Sequence, residues 1–140
     1  MSPALLPLAR SGALLAINLL FLMVWGFAGL GKLKTGVPSW FAGKFGGTFL
    51  AHFPGLTASF WLLAIAEVLA FLLAVAALVR GDFLGRRPPT LLALMLVWSL
   101  FVFLQLGFGQ WLTNEFNGTA QQFGYFAGTL IALHFVTAKQ

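Results

Sequence analysis

The stretch Thr57–Val79, TASFWLLAIAEVLAFLLAVAALV, contains one charged residue, Glu67, near its centre. A run this long and apolar matches the roughly 20 residues that a helix needs to cross the hydrocarbon core of a bilayer. A carboxylate placed midway costs roughly 3 kcal/mol on insertion scales. A sequence carries that penalty where the side chain faces a partner, a cavity or a ligand. What surrounds Glu67 is therefore the question the rest of the chain has to answer.

The composition agrees with a bilayer setting. Of the 140 residues, 60% are hydrophobic and 8% charged, against roughly 25% charged in soluble domains. We expect one membrane domain, residues 1–140, with no soluble catalytic domain beside it. Cysteine is absent, which removes disulfide exchange, thiolate nucleophiles, iron–sulfur clusters and thiolate zinc sites. The net charge of +5 comes from residues at segment ends. That pattern suits lipid headgroups and topology rather than nucleic acid.

Four stretches are long enough to span, at about residues 12–31, 58–79, 90–109 and 119–137. The fourth is diluted by Gln121, Gln122, Gly124, Gly128 and His134. The first is too long for a usual signal-peptide core and lacks a convincing cleavage site, so it reads as a retained span. Punctuation agrees with these limits: Gly31 closes the first, Pro54-Gly55 turns into the second, Gly81 follows it, and Pro88-Pro89 open the third. With the N-terminus inside, the inner side carries Arg10, Arg80, Arg86, Arg87 and Lys139, and the outer side Lys32, Lys34 and Lys44. The excess favours both termini inside. In the first outer loop Trp40, Phe41, Phe45, Phe49 and Phe53 recur at nearly helical spacing. This predicts a short interfacial helix or re-entrant stretch, either an aromatic belt or a lid. The expected fold is all-α, an integral membrane four-helix bundle.

Small and polar residues mark the faces where membrane helices meet. Ala66, Ala70 and Ala74 form a ridge beside Glu67, and Gly124, Gly128 and Ala132 form another in the fourth span. Asn18 and Trp25, Trp98 and Gln105, and Gln121, Tyr125 and Gly128 trace polar stripes on their helices. Glu67 and Trp98 fall at similar depth, roughly 15 Å below the outer boundary by helix rise. We expect the stripes to converge on a polar, aromatic pocket around Glu67, with Gln105, Tyr125, Trp98, Trp25 and Asn18 as candidate lining. Glu67 then either locks the bundle by hydrogen bonds to Gln105, Tyr125 or Trp98, meets a ligand or a proton, or contacts a partner subunit. No residue is assigned a catalytic role and no metal set is expected. His52 and His134 stand at opposite boundaries and cannot ligate one haem iron.

The run Trp25-Gly26-Phe27-Ala28-Gly29-Leu30-Gly31-Lys32-Leu33 resembles the F-x-x-G-x-x-K-L ending of the first helix in DoxX-like proteins. An aromatic loop and a second helix with a central acid, Ala66-Glu67-Val68, follow as in that family, and Arg10 stands near the first helix. The chain departs from the family in Leu69-Ala70-Phe71, where small glycines often follow the acid. The resemblance implies a four-helix protein of the bacterial cytoplasmic membrane, tied to quinone-dependent or other redox assemblies. It makes Lys32 and Glu67 the carried-over positions. The expected function is a small redox-associated membrane subunit with a quinone or lipid-ligand pocket around Glu67 and no intrinsic cofactor. Lys32 would stand at the pocket mouth, and lipid and other membrane subunits would be its partners. The rival is an accessory subunit that packs against a larger respiratory, photosynthetic or transport complex without chemistry of its own. A small transporter is disfavoured by the single intramembrane charge and the lack of an inverted repeat.

Overall fold

A computed structural model describes residues 2–139, and the described chain is all-helical. Five α-helices follow one another: α1 (Leu5–Thr35), α2 (Ser39–Phe45), α3 (Leu56–Arg80), α4 (Thr90–Leu112) and α5 (Phe116–Thr137). Single 3-10 turns lie at Phe49–Ala51 and Asp82–Leu84. Three helices, α1, α3 and α4, are long and apolar enough to cross a membrane, which marks the chain as a membrane protein. The helix α5 has 22 residues, but its polar dilution keeps it out of that class.

The helices outrun their apolar cores. At 31 residues, α1 is about 46 Å long by its rise, against about 30 Å of hydrocarbon. Arg10 therefore lies within α1 rather than ahead of it. Each end has a local cause. Gly81 closes α3 at φ 77°, a left-handed conformation that a Cβ disfavours. Pro88 and Pro89 precede α4, where a missing N–H removes no intrahelical bond. Asp82, fully buried, accepts the Leu92 N–H at 3.0 Å and so caps α4 from the preceding turn. Its pairing with Arg80, Nε to Oδ1 at 3.5 Å, neutralises the acid there.

Packing runs α1 on α3, α3 on α4, and α4 on α5. Buried Leu14, Phe21 and Trp25 of α1 meet Ala70, Ala74 and Ala77 of α3 and Leu92, Met95, Leu96, Val102 and Phe103 of α4. Small side chains on α3 let two bulky helices close on it from either side. The α1–α3 connection folds down rather than looping away: Phe41 of α2 is buried against Phe60, with ring centroids 5.5 Å apart in an edge-on contact. Phe49 reaches Phe108 of α4 at 5.9 Å. Lys44 pairs with Glu115 at 2.8 Å, tying α2 to the start of α5.

Candidate functional site

Glu67 is 1% exposed and lies on the buried stripe Phe60, Ala64, Glu67, Ala70, Ala74 and Ala77 of α3. The spacing of three and four residues keeps these on one helix face. Opposite stands the glycine pair of α1. A Cβ on Gly29 would lie 2.9 Å from the Val68 nitrogen and 3.2 Å from the Glu67 carbonyl carbon. A Cβ on Gly26 would lie 3.1 Å from the Phe71 ring. The missing side chains let α1 approach the α3 backbone more closely than any other residue allows. Three residues beyond Gly29, on the same face, Lys32 Nζ donates to Glu67 Oε2 at 2.8 Å. The Lys32 side chain is 27% exposed, whereas the acid it meets is enclosed. Among the described residues this is the one ion pair whose acid lies within a long apolar helix.

The other expected pocket residues do not gather around this acid. Trp25 is buried and its indole N–H donates to Ser99 Oγ at 2.8 Å, while Ser99 donates to the Met95 carbonyl at 2.7 Å. Its ring stacks obliquely on Phe103 at 4.9 Å. Asn18, also buried, donates to the Ala74 carbonyl at 2.9 Å, about two helical turns from Glu67 along the small-residue stripe. Trp98 is turned outward, 37% exposed, and donates to the Ala66 carbonyl at 2.8 Å. With Gln105 it lines a shallow groove against Leu62, Ile65, Ala66 and Leu69. Tyr125 is exposed on α5 and borders a different cavity.

The separation has a rotational cause. On α4 the face Leu92, Met95, Ser99 and Val102 turns inward, which rotates Trp98 by about 100° away from it. On α3, Ala66 precedes Glu67 by one residue and faces α4 rather than α1. Ala66 therefore belongs to the Trp98 groove, and Ala64, Ala70, Ala74 and Ala77 make the buried ridge. Hydrogen bonds from Glu67 to Gln105, Tyr125 or Trp98, expected from similar depth, are replaced by the bond from Lys32. Depth sets height along a helix but not azimuth.

The glycine step of α5 also differs from expectation. A Cβ on Gly124 or Gly128 would meet nothing within 4 Å. Both residues line a cavity of about 510 Å³ between α1 and α5, bordered by Phe21, Phe103, Tyr125 and Thr129. Ser99, Asp82 and Thr129 are buried polar residues that sequence reasoning passed over. Ser99 could have been found as the lone hydroxyl inside an apolar run of α4, Asp82 as an acid just ahead of a Pro-opened helix.

No family model, curated protein or solved structure matches the chain.

Proposed function

We propose that the chain is a DoxX-like integral membrane protein of the bacterial cytoplasmic membrane. It is a four-helix bundle with both termini inside, serving as an accessory subunit of a membrane redox assembly. In this reading α2 lies in the outer interface, its exposed Trp40 in the headgroup region. The observation that carries the accessory role is the state of the acids. All three carboxylates are engaged within the fold: Glu67 by Lys32, Glu115 by Lys44 and Asp82 by Arg80. Among the described residues no acidic side chain is left without a basic partner. Glu67 and Lys32 act as a clamp that sets how α1 crosses α3, and the lipid-facing sides of the helices supply contact area for larger neighbours. Purification of the native protein in a mild detergent tests this. Fixed stoichiometry with other membrane subunits is expected. A chain that always isolates alone, after gentle crosslinking as well, would end the accessory reading.

A second reading is favoured by the cavity between α1 and α5. A quinone or similar lipid-soluble ligand would sit there, between Phe21 and Phe103, and not beside Glu67. Its volume suits a small organic ligand, for which pockets run about 300–1,000 Å³. The Tyr125 phenol would be the donor to a carbonyl oxygen. Thr129 is less suited, because its hydroxyl already donates to the Tyr125 carbonyl at 2.7 Å. Solvent extraction of the purified protein should then recover quinone, and Tyr125→Phe should lose it while Glu67→Gln keeps it. Equal recovery from Tyr125→Phe and wild type would remove the phenol from the argument.

A further inference from the structure

The eight Lys and Arg residues outnumber three Asp and Glu. The three acids are held by Lys32, Lys44 and Arg80. Five cations are left: Arg10, Lys34, Arg86, Arg87 and Lys139. Four of these five, all but Lys34, line one cavity of about 650 Å³ where α1, α4 and α5 end together. The excess positive charge of the molecule is thus concentrated rather than spread.

The cavity is assembled from distant parts of the chain. Arg10 of α1 reaches the last turn of α5, donating to the Phe135 and Val136 carbonyls at 3.3 Å and the Ala138 carbonyl at 3.4 Å. These are carbonyls that a helix end leaves without intrahelical donors. The guanidinium has five N–H donors, so the three bonds leave two to spare. Arg86 and Arg87 enter from the α3–α4 connection and Lys139 from beyond α5. Among the described residues none of these three side chains has a hydrogen bond or ion pair. The first turn of α4 borders the same space through Thr90 and Ala93, adding the positive end of its dipole. The nearest acid in sequence, Asp82, is fully buried and already shared by Leu92 N–H and Arg80.

Converging cations with no free acidic side chain among the described residues call for an anion with several acceptor oxygens, and phosphate suits arginine forks best. The floor decides which phosphate. Beneath the cations lie the apolar side chains of Leu14, Ala93 and Val136. A free inorganic ion gains nothing from them, whereas the glycerol and upper acyl carbons of a lipid do. The cavity also stands at the ends of helices long enough to cross a membrane, the depth at which headgroups lie.

We propose that this cavity binds the phosphate of an anionic phospholipid, with Arg86 and Arg87 as the principal contacts and Arg10 as the bridge that shapes the site. The inference needs only a membrane setting and stands whether or not the chain is an accessory subunit.

The test is native mass spectrometry of the full-length protein in detergent, titrated with phosphatidylglycerol or with phosphatidylcholine. Wild type should retain one phosphatidylglycerol in preference to phosphatidylcholine. Each basic side chain near an anionic lipid contributes about fivefold in affinity, so Arg86→Gln/Arg87→Gln should weaken retention by roughly thirtyfold. Both arginines are exposed, and unchanged helicity by circular dichroism confirms that the variant folds. Lys34→Gln, which removes a cation at the other end of α1, should leave retention unchanged. Equal retention of the two lipids, or an unaltered double variant, overturns the proposal. Displacement of the lipid by millimolar inorganic phosphate also overturns it, showing a general anion site instead.

Discussion

Removing Lys32 should harm this protein more than neutralising Glu67, although the two form one pair. At the 2.8 Å separation of Nζ and Oε2, the direct Coulomb attraction is about 6 kcal/mol at an effective dielectric constant of 20. Desolvation of the two charges offsets much of it, so the net worth of the intact pair is small. The single variants are not symmetrical, however. Lys32→Met leaves a carboxylate that is 1% exposed with no partner, and an orphaned buried charge costs about 3–5 kcal/mol. Glu67→Gln keeps an acceptor for Lys32, whose partly exposed side chain can carry the ammonium toward the boundary. Its cost should be about 1–2 kcal/mol, the scale of a weakened hydrogen bond to a charged group. Lys32→Met/Glu67→Gln removes both charges and should recover much of the loss, giving a coupling of about 2 kcal/mol or more. Unfolding by sodium dodecyl sulfate in mixed micelles, followed by circular dichroism, measures all three. Equal, small losses below about 0.5 kcal/mol with no coupling would show that the acid is not enclosed and would sink the clamp.

Gly29→Ala should destabilise by about 1–3 kcal/mol, because its Cβ meets the Val68 backbone at 2.9 Å. Gly31→Ala, two residues on with nothing within 4 Å, should be neutral or gain about 0.5–1 kcal/mol in the same assay. Asp82→Ala removes the cap on Leu92 N–H and should cost about 0.5–2 kcal/mol, with faster amide exchange confined to the first turn of α4. Trp25→Phe should lose about 1 kcal/mol, since the Ser99 hydroxyl forfeits its indole donor. The chain has no cysteine, so single replacements report topology cleanly. In intact cells a membrane-impermeant maleimide should label Asn114→Cys and spare Arg87→Cys, and the reverse pattern would invert the proposed orientation.

Much of the helical content was legible in the sequence. The apolar stretch around Glu67 lies inside α3, and the predicted boundaries at Gly81 and Pro88-Pro89 fall within a residue or two of the observed ends. The aromatic spacing after Lys34 predicted a short interfacial helix or re-entrant stretch, and a short helix, α2, is observed over Ser39–Phe45, with Phe49 and Phe53 beyond its end. The site was legible in a different sense. Nothing local joins Lys32 to Glu67 across 35 positions, and only the resemblance of the Gly29-x-x-Lys32 segment singled the lysine out. Trp98, Gln105 and Tyr125 were grouped with Glu67 by depth, and their helices turn them elsewhere.

Amino-acid order alone determined that apolar segments of spanning length would form helices. Backbone groups in hydrocarbon have no water to bond and must satisfy one another within the segment. It also determined that one acid in the longest such run would turn toward protein, because the alternative is a charge in lipid. Which neighbour receives that acid was decided only by tertiary structure. The choice depends on the rotation of each helix about its axis, and that rotation follows from where Gly26 and Gly29 let α1 press against α3 and where Ser99 draws α4 inward. Such contacts are set between segments far apart in the chain, so the azimuth of a polar stripe emerges only once the helices are packed.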